Sequence, residues 1–205
     1  GLQLNLLVDT ILASLLNVGA ISWLYYADRI AQLPLGIVGI ALGTALLPRL
    51  SALEANGRSE DIAGELSSGL KTASFFVLPA AAAIIVIAEP ILAGLFLSGA
   101  FTAEDVYYAS LALIAYGVGL PAFVGNKILQ PAFYAAGHAK LVLKLSLVSV
   151  LVNLCLSLLL MQFFAHAGLA LATSISFWII LLWQAFILLR LKKLDFTASI
   201  FIAKV

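Results

Sequence analysis

Long apolar blocks separated by short polar connections set the pattern of this chain. The blocks run at roughly 2–20, 30–48, 70–97, 107–134, 141–164 and 168–190. Most are long enough to cross a hydrocarbon core of about 30 Å at 1.5 Å per residue. They lack the period-2 alternation of a lipid-facing barrel strand. The pattern therefore predicts an all-α integral membrane fold of six transmembrane helices.

The connections test that count independently. Arg49, Arg58 and Lys71 follow the second block, His138, Lys140 and Lys144 the fourth, and Arg190, Lys192 and Lys193 the sixth. The connections read near 20–28, 98–106 and 164–167 carry no Lys or Arg. Basic residues at every second turn are what the positive-inside rule requires of an even set of spans. The first span then enters from the cytoplasm and the sixth returns to it. Residues 1–195 are expected to form this six-helix unit, with 196–205 beginning a further span of a longer polytopic protein.

Composition agrees with the pattern. Hydrophobic residues make up 63% of the 205-residue chain and charged ones 10%, with mean hydropathy +1.13. A soluble domain carries about 25% charged residues, because its surface must be solvated. A formal charge of +1 without a dense basic patch argues against a nucleic-acid partner, so membrane lipids are the expected surroundings. The single Cys155 has no internal partner for a disulfide and reads as a small buried or lipid-facing residue.

Within the blocks, proline and glycine punctuate the spans. Pro34, Pro79, Pro90, Pro121 and Pro131 fall inside apolar runs, where they remove backbone bonds and kink helices. Gly36, Gly39 and Gly43, then Gly117 and Gly119, permit close helix approach. The polar stretch 50–70 reads either as a solvated connector or as a short amphipathic helix from Ser59, with Ile62 and Leu66 on its apolar face.

Ionisable groups at membrane depth are costly and face interior cavities by default. Asp28 and Arg29, at the outer end of the second span, read either as an interfacial pair or as a cavity Arg suited to phosphate. In the second case Asp28 would hold the guanidinium in place. Lys127, about two turns from the cytoplasmic end of the fourth span, is a cationic contact for an anionic substrate, with snorkelling as the alternative. Asp9, Asn153, Ser157 and Thr173 form a looser group. Asn153 and Ser157 share a helix face, and one carboxylate with neutral oxygens suits a hard cation such as sodium; interhelical hydrogen bonding is the alternative. Glu89 is expected to be solvated. No paired-carboxylate run, Cys/His metal spacing or P-loop is present, so no enzyme motif is visible and no cofactor is expected.

The segments that carry these residues also resemble a known family. Ser22-Trp23-Leu24-Tyr25-Tyr26-Ala27-Asp28-Arg29, Leu33-Pro34-Leu35-Gly36 and Leu47-Pro48-Arg49-Leu50-Ser51 resemble the lipid II flippases (MurJ, also called MviN). So do Glu89-Pro90-Ile91, Gly99-Ala100-Phe101-Thr102, and Ala115 to Leu120 followed by Lys127 and Pro131-Ala132-Phe133-Tyr134-Ala135. The resemblance implies the multidrug/oligosaccharidyl-lipid/polysaccharide exporter fold, two six-helix lobes facing a central cavity. This chain would supply the second lobe, helices seven to twelve of about fourteen, with the first lobe as its partner in the same protein.

The family's essential Asp-Arg pair falls on Asp28 and Arg29, and its intramembrane Lys on Lys127. The implied activity is translocation of an undecaprenyl-diphosphate-linked peptidoglycan precursor (lipid II) across the bacterial cytoplasmic membrane by alternating access, with sodium or proton coupling. Gln32 stands where some members have an acidic residue and Ser98 where a basic one is frequent. Leu141-Val142 replaces a usual Thr-Pro, and Ser157 is neutral where a carboxylate would strengthen an ion site. A related exporter of drugs or polysaccharide-linked lipids, or a non-transporting scaffold, is the alternative. The cations at Arg29 and Lys127 argue against export of cationic drugs.

Overall fold

The computed structural model describes residues 2–16 and 18–191. The expected further span at 196–205, with Lys192 and Lys193, lies outside them. Within the described residues the chain forms α1 (Leu2–Ala13), α2 (Ala20–Pro34), a π-helical segment (Leu35–Ile40), α3 (Ala41–Ala55), α4 (Ser59–Val86), α5 (Ala88–Phe96), α6 (Ala103–Ala135) and α7 (Ala139–Arg190). No strand occurs among them.

Two chain breaks differ from the sequence pattern. The first apolar block does not run to 20, because α1 ends at Ala13 and the chain turns through Gly19, whose φ of 105° suits glycine. The expected connection at 20–28 is instead helix. α2, the π segment and α3 make one rod over 20–55, which is 36 residues long. Trp23, Tyr25, Tyr26, Asp28 and Arg29 lower the hydropathy of its first turns, and that loss of signal hid the start of the span. Asp28 consequently lies about 12 Å along the axis from Ala20, at 1.5 Å per residue, rather than at the span's outer end.

Further along, the stretch from Ser59 is not a separate interfacial helix. It runs unbroken into the third span as α4, with Ile62 and Leu66 buried at 1% and 0% exposure. The third span breaks at Ile87 (φ −118°, ψ 30°), so Pro90 sits in the first turn of α5, where a missing N–H costs nothing. α7 is 52 residues long, about 78 Å at 1.5 Å per residue, which exceeds one membrane thickness more than twofold. Ala165, at φ 48° and ψ −128°, breaks it into arms over 139–164 and 166–190. Its two arms are the fifth and sixth spans that the sequence pattern predicts.

α6 is the core of the bundle, packing against α2, α3, α4, α5 and α7. Thr102 starts it with a capping box, accepting from the Asp105 amide while the Asp105 carboxylate accepts from the Thr102 amide. Such a cap is worth about 1 kcal/mol. Small residues on α6 and its neighbours let backbones approach. A Cβ on Gly43 of α3 would stand 2.7 Å from the Lys127 carbonyl oxygen, and one on Gly119 would stand 2.3 Å from Ser174 Oγ. The remaining surface is apolar and exposed along its helices, as Phe75, Leu78, Leu151 and Phe163 illustrate, because lipid rather than water is its solvent.

Candidate functional site

Asp9 on α1 is 2% exposed and forms the centre of a polar cluster. Its carboxylate accepts from Ser157 Oγ at 3.3 Å and from Thr173 Oγ1 in a short bond. Asn153 Nδ2 donates to Thr173 Oγ1 at 2.9 Å. The four residues proposed from sequence for a cation thus come together from α1 and both arms of α7. Asn153, Ser157 and Thr173 are fully buried, and the Asn153 Oδ1 has no hydrogen-bond partner. An unsatisfied carbonyl oxygen beside a carboxylate and two hydroxyls is a donor set of hard oxygens with one formal negative charge. Such a set can hold a monovalent cation, and the same bonds tie α1 to both arms of α7 as interhelical contacts.

A cleft of about 280 Å³ opens beside this cluster, lined by Asp9, Tyr25, Asp28, Arg29, Gln32 and Tyr116 among others. Here one expectation is corrected. Asp28 does not clamp Arg29: it accepts a short bond from Gln32 Nε2, while the Arg29 guanidinium lies 4.7 Å over the Tyr25 ring. Helix geometry is the reason. Residues i and i+4 share a face, so Gln32 meets Asp28 and Tyr25 meets Arg29, whereas neighbours at i and i+1 diverge by about 100°. Among the described residues Arg29 makes no salt bridge, so its charge is available to a ligand.

Lys127 lines a second cleft, of about 110 Å³, with Asn126, Gln130, Ser146 and Ser149. It also has no salt bridge among the described residues. Leu35 and Phe123 line this cleft and also a narrow gap that Asp28, Gln32, Tyr116 and Thr173 share. The two clefts therefore adjoin along α2 and α6 as a furrow that narrows between them to a gap of about 10 Å³. Leu35 opens the π segment just after Pro34, and the wider winding there re-aims the side chains at this junction. Cationic groups sit at both ends of the furrow, with a carboxylate and an amide between them.

Three features lay outside the sequence reading. Tyr116 is only 2% exposed and lines both the Arg29 cleft and the gap beside Thr173. Asn5 bonds Ser149 at 3.4 Å one helical turn below Asp9. At the outer end, Trp23 Nε1 donates to Asp105 at 2.7 Å, stacks on Tyr108 at 4.6 Å and meets His166, which bonds the Tyr108 carbonyl at 2.8 Å. The i, i+4 spacing of Asn5 to Asp9 and of Ser149 to Asn153 was the available signal for the second of these. Glu89 is exposed as expected, and so is Cys155.

An all-α bundle of lipid-facing helices around a polar furrow defines a multi-pass membrane protein. The family model described as Lipid II flippase MurJ matches residues 2–204. The chain is 39% identical over 174 residues to a probable lipid II flippase MurJ of Vibrio cholerae serotype O1, covering 85% of this chain and 33% of that protein. It is 41% identical over 177 residues to a counterpart in Rhizobium meliloti, covering 86% and 33%. A solved structure titled lipid II flippase MurJ, inward closed conformation, superposes with a TM-score of 0.84 at 30% identity, covering 95% of this chain and 41% of that one. The chain belongs to the lipid II flippase MurJ family, and it spans about a third of the length of the curated relatives it matches.

Proposed function

We propose that this chain is the second lobe of a flippase that carries the undecaprenyl-diphosphate-linked peptidoglycan precursor, lipid II, across the bacterial cytoplasmic membrane. The observation that carries the reading is the furrow with Arg29 and Lys127 along it, both without a carboxylate partner among the described residues. A cation held at membrane depth without a partner is costly. A diphosphate passing through the cavity would offset that cost, because it supplies several acceptor oxygens to a planar guanidinium and an ammonium. Asp28 and Gln32, bonded to one another, set the width and polarity of the furrow between these cations.

The first lobe, supplied by the rest of the protein, would close the other side of the cavity. Alternating access then moves the sugar-peptide head while the lipid tail stays in the bilayer. A monovalent cation at Asp9, Asn153, Ser157 and Thr173 couples to this motion, because the site joins α1 to both arms of α7. Binding there requires the two hydroxyls to turn their O–H groups away from Asp9, so that their lone pairs and the carboxylate face the ion. Proton coupling at Asp9 is the other form the same site supports.

The test uses the full-length protein carrying Arg29→Ala in cells depleted of their own flippase. The expected result is accumulation of the lipid-linked precursor on the cytoplasmic side, with the membrane level of the variant unchanged. Full complementation by Arg29→Ala would remove the cavity role of this residue.

A further inference from the structure

Buried polar atoms in the described residues leave a directional trace. The side-chain atoms without a partner are Asn5 Oδ1, Asn126 Oδ1, Asn153 Oδ1 and Gln184 Oε1, all carbonyl oxygens and none a donor. In a helical bundle backbone carbonyls take up side-chain N–H groups while the backbone N–H groups are already bonded, so these amide oxygens are the groups left to meet a visiting cation or water. Asn153 and Asn5 lie in successive layers. Asn153 belongs to the Asp9 cluster. Asn5 precedes Asp9 by one turn on α1, and Ser149 precedes Asn153 by one turn on α7, so their 3.4 Å bond forms a second polar layer about 6 Å nearer the cytoplasm. Ser149 also lines the inner cleft that contains Asn126 and Lys127.

We propose that the Asn5–Ser149 layer is a cytoplasmic access route by which a monovalent cation reaches and leaves the Asp9 site without passing Asp28 and Arg29. The route rests on the reading of the Asp9 cluster as a cation site. Asp9 then has two openings: the central cleft beside Asp28, and a stepwise path of amide and hydroxyl oxygens along one face of α7. The Asn5–Ser149 layer offers oxygens one helical turn from the Asp9 cluster, and Ser149 carries the path on to the inner cleft. Lys127 at the inner mouth keeps cations from resting there, which makes the cleft a passage rather than a second binding site.

The experiment uses purified full-length protein in proteoliposomes, with equilibrium binding and exchange of radioactive sodium ions followed separately from each membrane face. Ser149→Val and Ser149→Thr have the same shape and differ only in the hydroxyl, so any steric cost is common to both. The route predicts that Ser149→Val slows cytoplasmic-face exchange about tenfold relative to Ser149→Thr, leaving exchange from the outer face and equilibrium affinity alike in the two. Asn5→Leu is predicted to slow the same face and serves if the Ser149 variants fail to fold. Equal rates for the Val and Thr variants, equal slowing on both faces, or loss of equilibrium binding in Ser149→Val would overturn the route. A wild-type protein that flips substrate but binds no sodium would instead remove the cation reading of Asp9.

Discussion

Replacing Thr173 by Val removes one hydroxyl from the centre of the Asp9 cluster and preserves shape. That hydroxyl donates to the Asp9 carboxylate and accepts from Asn153 Nδ2 at 2.9 Å. All three groups are essentially buried, so water cannot replace the lost bonds. A hydrogen bond to a charged group contributes about 1.5–3 kcal/mol, and an orphaned buried donor costs about 1–3 kcal/mol. Asn153 also neighbours Asp9 and can swing its amide to it, which recovers part of the second loss. The net destabilisation expected for Thr173→Val is therefore about 2–3 kcal/mol relative to Thr173→Ser, which retains the hydroxyl. Loss of one oxygen from the ion's shell should in addition weaken sodium binding about tenfold, equivalent to about 1.4 kcal/mol. Thermal unfolding of the purified full-length variants in detergent measures the first effect, and radioactive-sodium binding the second. If Thr173→Val lost stability but bound sodium as well as Thr173→Ser does, the cluster would be interhelical bonding alone. If neither quantity changed, the hydrogen-bond geometry around Asp9 would be refuted.

Other consequences follow from the packing. Gly43→Ala would push a Cβ against the Lys127 carbonyl oxygen, a backbone atom that cannot rotate away, so α3 and α6 must separate at a cost of about 1–3 kcal/mol. Thermal unfolding should fall accordingly, and an unchanged midpoint would mean the two helices stand further apart. Thr102→Ala removes the α6 cap and should cost about 1 kcal/mol, read as faster hydrogen exchange confined to the first turn of α6. Trp23→Phe keeps the ring contact with Tyr108 but loses the N–H bond to Asp105. A loss of about 0.5–1.5 kcal/mol in unfolding free energy is expected, and no loss at all would mean the α2–α6 tie at the outer end carries no stability.

Much of the fold was readable because lipid punishes polar residues so consistently. The blocks at 107–134, 141–164 and 168–190 correspond closely to α6 and the two arms of α7, and the basic turns at 138–144 and 190 agree with them. The Asp9 cluster was readable for the same reason. A carboxylate, an amide and two hydroxyls inside apolar runs must find one another, and helical spacing indicated which faces they share. The 20–29 stretch was misplaced because its aromatic and charged residues, of which Tyr25, Asp28 and Arg29 line the furrow, resemble an interfacial connection to any hydropathy measure. The break after Ala13 lay hidden inside Leu15, Leu16 and Val18, residues as apolar as the helix they end. Arg29's partner depended on which face of α2 each side chain takes, and adjacency in sequence with Asp28 pointed the wrong way.

The central claim is that Arg29 and Lys127 hold the diphosphate of a lipid-linked substrate. Direct binding of lipid II to the purified full-length protein, compared across Arg29→Gln, Lys127→Gln and the double variant, tests it with no cellular readout intervening. Each single change should weaken binding about tenfold or more, as expected for a charge-assisted contact, and the double variant should retain no measurable specific binding. Undiminished affinity in the double variant would contradict the account.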